Sequence, residues 1–160
     1  MADIKTAYGT SNQTITCTLA SLADAGARAS TALDNSSNLF LDALVQISIA
    51  TNSSGTSSTG TVRVYAYGSA DGGTTYSDSA TGTDAGITLT VPPNARLIGI
   101  LNTVANSTTY ESHPMSVASA FGGVLPEDWG IIIENQSGAA LDATEGNHDK
   151  HYQGVYATTS

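Results

Sequence analysis

The sequence predicts an all-β protein: a single antiparallel β-sandwich of about 8–10 strands, arranged as a jelly roll or a related Greek key. Three observations predict it. Apolar residues recur at every second position in several stretches, Gly, Ser, Thr, Asn and Asp fill the breaks, and no stretch sustains a helical period. The 160 residues fit one domain, without internal repeat or linker. The expected layout is one sandwich over residues 1–160, with short extended arms at about 1–10 and about 157–160, where little core-forming pattern exists.

Taken in order, Thr14-Ile15-Thr16-Cys17-Thr18-Leu19 alternates so that Cys17 joins Ile15 and Leu19 on an apolar face. Leu22 to Ala32 is the best helical candidate, weakened by Gly26. From Leu39 to Ile49, the side chains of Leu39, Leu41, Ala43, Val45, Ile47 and Ile49 point one way. Thr51 to Gly60 is a Ser/Thr/Gly loop, and Thr61 to Tyr67 a second alternating strand. Asp71-Gly72-Gly73 is a hairpin-type signal. Ile87, Leu89 and Val91 mark a strand that Pro92-Pro93 ends, since proline cannot donate to a ladder. Leu97 to Leu101 and Trp129 to Glu134 are apolar runs expected to be buried on both sides, and a last strand spans about Lys150 to Tyr156. The predicted core is Ile15, Cys17, Leu19, Leu41, Val45, Ile47, Val62, Val64, Leu89, Leu97, Leu101, Trp129, Ile131 and Ile133.

Charged residues make up only 12% of the chain, and Ser and Thr supply about a quarter. Polarity therefore comes from hydroxyls and backbone. The formal net charge is −9, and the basic residues Lys5, Arg28, Arg63, Arg96 and Lys150 are scattered. Neutralising phosphates takes clustered cations, so neither nucleic acid nor an anionic membrane is an expected partner. The N-terminal residues have no apolar core of signal-peptide type, which points to synthesis in a cytoplasm. In that setting the five Asn-x-Ser/Thr sequons are by-products of composition.

Little in the sequence promises chemistry. A Gly-x-Ser-x-Gly elbow and a phosphate-binding glycine loop are both missing, and Cys17 lies far in sequence from His113. His148 and His151 would point to opposite faces of a strand and could not share a metal. Asp71, Asp78 and Asp84 sit in Gly/Ser/Thr segments able to offer calcium oxygens, but without EF-hand spacing. No catalytic residue, cofactor or metal is expected. Trp129, after the Pro126-Glu127-Asp128 turn, is expected to cap the core. A carbohydrate-binding face of Tyr65, Tyr67 and Trp129 is the rival functional reading, since aromatic rings with a polar edge suit such surfaces.

Three segments together resemble small jelly-roll structural proteins of tailed-phage virions: Tyr8 to Leu22 with Ala32 to Ile49, Val64 to Tyr76 as a strand–turn–strand with a Ser-x-Asp-Gly tip, and Leu125 to Leu141 with its Pro turn into an apolar strand. The resemblance implies a non-enzymatic virion protein, made in the bacterial host. Foremost is a capsid decoration (cement) protein bound to the major capsid protein, as a homo-oligomer or lattice-bound. A tail- or fibre-associated component is the alternative. The residues nominated for contact are Met1, Ala2, Asp3, Ile4 and Lys5 in the N-terminal arm, with Tyr65, Tyr67, Trp129 and Tyr156.

Overall fold

The computed structural model describes residues 3–159. Twelve strand segments make two antiparallel sheets: β1 (Ile4–Tyr8), β2 (Gln13–Thr14), β3 (Ala27–Ala29), β4 (Leu33–Asp34), β5 (Asp42–Ala50), β6 (Thr61–Ser69), β7 (Ala85–Ile87), β8 (Arg96–Asn102), β9 (Thr109–Glu111), β10 (Met115–Ser116), β11 (Asp128–Gln136) and β12 (Asp149–Thr159). The first sheet runs β1-β12-β5-β10, with β2 beside β12 and β9 beside β5. The second runs β7-β3-β11-β6-β8, with β4 beside β11.

The twelve segments resolve into four nested antiparallel pairs of spans. The opening span β1/β2 pairs with β12, β3/β4 with β11, β5 with β9/β10, and β6 with β8. This wrapped arrangement is a jelly roll. Eight spans plus β7 match the expected strand number; the larger segment count reflects spans broken into short pieces.

The core lies between the sheets. Ala43, Val45, Ile47 and Ile49 of β5 face Val62, Val64 and Ala66 of β6 and Trp129, Ile131 and Ile133 of β11. Ile15, Cys17 and Leu19 keep alternate burial in the same core although no ladder continues through them. Alternation thus reports a buried face even where hydrogen-bond pairing stops.

A second cluster lies on the other side of β6 and β11. There Tyr65, Tyr67 and Ile132 pack with Ala80 and Ala95, and with the half-buried Tyr76, Ile87 and Leu89. The long connection from β6 to β8 therefore folds back over the outer face of the second sheet. That is why β11 reads as a continuous apolar run: Trp129 to Ile133 are all buried, alternately against the two clusters. Gly130 belongs to the same arrangement. It sits opposite Tyr67, whose ring covers it so closely that a Cβ there would come within 2.5 Å of the ring.

Several sequence expectations are corrected. The helical candidate at Leu22 to Ala32 instead contains β3, whose Ala27 and Ala29 fit under the tyrosines. Asp71-Gly72-Gly73 does not close a hairpin: β6 is followed by an irregular crossover, and β7 pairs with β3. The strand expected through Leu89 and Val91 stops at Ile87, and Val91 is 98% exposed. Strand β8 is an edge strand rather than one buried on both sides, leaving Leu97 and Ile100 about half exposed. Leu41 also lies outside the core, and Leu89 is only half-buried. Within the expected arms, residues 4–8 pair with residues 155–159 as β1 and the end of β12.

Candidate interaction surfaces

Each nominated contact residue has a definite place, except Met1 and Ala2, which lie outside the described residues, as does Ser160 of the C-terminal arm. Trp129 is 1% exposed and meets Tyr152 edge-to-face, with ring centroids 5.3 Å apart. Tyr67 is fully buried, and its hydroxyl donates to the Ser30 carbonyl at 2.6 Å. Tyr65 is buried and donates to Glu134 at 3.0 Å. Trp129 belongs to the inter-sheet core and the two tyrosines to the outer cluster, so the three occupy opposite faces of one sheet. The aromatic platform expected for sugar binding does not form.

Asp3, Ile4 and Lys5 are exposed, while Tyr156 is half-buried with its ring centroid 6.2 Å from that of Phe40. Ile4 pairs with Thr159 and Tyr8 with Val155. On the other side of β12, pairing with β5 stops at Val155. From Tyr156 onward, β1 and β12 therefore project as a two-stranded ribbon with both edges open. Ile4 is 79% and Tyr8 58% exposed.

The loop carboxylates Asp71, Asp78 and Asp84 are occupied by donors from the chain. Asp71 accepts hydrogen bonds from the Ser69 hydroxyl (2.5 Å) and from the Thr74 and Thr75 amides (3.1 and 2.9 Å). These bonds, the Ser69 hydroxyl foremost, hold its carboxyl at about 2. Asp78 is buried and accepts from the Thr90 amide (3.1 Å), the Thr90 hydroxyl (2.5 Å) and the Ala95 amide. Asp84 holds Arg28 (2.5 Å) and the Thr18 amide and hydroxyl. A carboxylate ringed by N–H and O–H groups is a structural anchor, because those donors favour its charge without a cation.

His148 and His151 are likewise apart in role. The buried His148 accepts the Ala50 amide at Nδ1 (3.2 Å), which leaves Nε2 to donate to the Asp142 carbonyl (3.0 Å). His151 faces outward, with Nε2 3.7 Å from Asp149. Among the described residues, no group of three or more His, Cys, Asp or Glu is placed to hold a metal ion, and no helix is long and apolar enough to cross a membrane.

Cys17 is 3% exposed, and burial, reinforced by the charge of Asp84, pushes its thiol up to about 12. Only the thiolate is nucleophilic. Native protein is expected to resist a thiol-specific disulfide reagent at mildly alkaline pH and to release one equivalent of reaction after unfolding. Stoichiometric labelling of the native fold would contradict the buried placement.

The charge balance is uneven. Arg28 pairs with Asp84, Arg63 with Glu134 and Lys150 with Glu145. Among the described residues this leaves Lys5 and Arg96 as the cations without a carboxylate partner, against eleven further acidic side chains (fourteen less three). Net charge is a property of composition; the internal use of most cations depends on tertiary pairing that linear spacing does not encode.

No family model matches the chain, and no match is found among curated proteins or solved structures.

Proposed function

We propose that this chain is a non-enzymatic structural protein of a tailed-phage virion, acting as a decoration protein that binds the outer capsid surface and stabilises contacts between capsid subunits. The observation that carries the reading is the terminal ribbon: residues 4–7 and 156–159 project beyond the sandwich with two open edges and an exposed Ile4. A two-stranded ribbon alone is marginal in water, and open edges are templates for strand addition. Docking against a neighbour supplies the missing partner. The rest of the molecule suits that role. Its carboxylates anchor loops, its thiol is enclosed, and its excess charge is negative, which complements a basic partner lattice.

The test is association with capsid shells lacking the protein, followed by quantitative sedimentation at low and moderate salt. Saturation at hundreds of copies per particle is expected. Saturation at a handful would place the chain in a tail or fibre, and no association would end the virion reading. Ile4→Asp leaves the core untouched and is expected to weaken association about tenfold at unchanged melting temperature. Unaltered association of that variant would remove the ribbon from the interface.

A further inference from the structure

The outer face of the first sheet lies open, in contrast to the covered face of the second. Residues that turn away from the core form rows across its strands. In one row, Glu111 of β9 lies opposite Ser48 of β5, which lies opposite Asp149 of β12. In the next, Gln46 lies opposite His151, which lies opposite Thr14 of β2. Two adjoining depressions, of about 540 and 270 Å³, run along these rows and share Asn12, Gln46 and His151. Among the described residues, no Lys or Arg lines either one. Glu111 and Asp149 stand two strand spacings apart, about 10 Å, on either side of a hydroxyl. Among the described residues the ion-pair partner of Asp149 is the His151 imidazole, at 3.7 Å.

We propose that this groove seats a lysine or arginine side chain from an extended segment of a partner protein, held between Glu111 and Asp149 with Gln46 and Ser48 beneath it. Charge complementarity selects this occupant. Among the described residues no Lys or Arg pairs with either flanking carboxylate, while the fold spends Arg28, Arg63 and Lys150 on other acids. A bound ammonium or guanidinium would make a charge-assisted hydrogen bond to one carboxylate and lie in the field of the other. A sugar is disfavoured, because Tyr152, which lines the smaller depression, is half-buried with its ring engaged edge-to-face by Trp129. The identity of the partner as a virion protein rests on the function proposed above; the groove's preference for a basic segment does not.

The probe is a short fluorescent peptide of alternating lysine and threonine, titrated with the full chain and read by polarisation, beside the same peptide with its lysines acetylated. The native chain is expected to bind the first and not the second. The double variant Glu111→Gln/Asp149→Asn is expected to lose about tenfold in affinity, whereas the charge-matched Asp3→Asn/Glu127→Gln should change it by less than about twofold. Equal weakening by both double variants would reduce the effect to diffuse attraction and overturn the proposal, as would binding of the acetylated peptide or failure to bind either. The shell assay separates the two readings. Peptide binding without shell association removes the virion role and leaves the groove; shell association without peptide binding does the reverse.

Discussion

Trp129→Ala is expected to destabilise the fold by about 3–5 kcal/mol, the range for deleting a large buried aromatic. The indole is 1% exposed, lies on the central strand β11, and stands edge-to-face on Tyr152 of the opposite sheet. Its removal opens a void between the sheets and forfeits an aromatic pair that spans them. Urea unfolding of variant and parent would measure the loss, with an unchanged slope indicating that the unfolded states are comparable. The same variant discriminates between roles: a tryptophan in a sugar platform would lose ligand at undiminished stability. A cost below about 1 kcal/mol would be incompatible with this enclosure.

Asp78→Ala is expected to cost on the order of 2 kcal/mol, because it strands the buried Ala95 amide and unpairs the part-buried Thr90 amide and hydroxyl. The Asp78 carboxylate holds the Thr90 amide, the Thr90 hydroxyl and the Ala95 amide. Through them it pins the crossover that covers Tyr65 and Tyr67, so its loss should raise the accessibility of those tyrosines, seen in near-ultraviolet circular dichroism. Burial pushes this carboxyl up, but the hydrogen bonds from Thr90 and Ala95 outweigh it, and the net shift is below the ordinary 3.8. In the unfolded chain the group takes up its proton at higher pH than in the fold. Its contribution is therefore complete above about pH 4 and is lost as pH falls toward the folded value. Asp71, Asp84 and Glu145 are shifted in the same direction, so the parent should lose stability on acidification below about pH 4. Asp78→Ala should show a shallower loss over that range. An identical pH dependence in variant and parent would rule out the anchoring role.

The sequence by itself determined the class of fold and most of its inner faces. In β5 and β6, the two-residue rhythm placed Val45, Ile47, Val62 and Val64 in the core because a pleated strand sends alternate side chains to opposite sides, whatever it packs against. Composition likewise set the acidic balance, though not where it is expressed.

Tertiary structure alone decided what covers each outer face. Tyr65 and Tyr67 look like surface residues in an alternating strand, yet the crossover over β6 and β11 buries them, and no local pattern announces that a Gly/Ser/Thr-rich segment will fold back. Leu97 and Ile100 read as core and are exposed, because β8 came to lie at an edge. Glu111, Ser48 and Asp149, far apart in the chain, become one row only through the pairing of β9, β5 and β12. The rhythm of a strand is a local steric property and is written in the chain; its neighbours follow from long-range pairing, whose register no single segment contains.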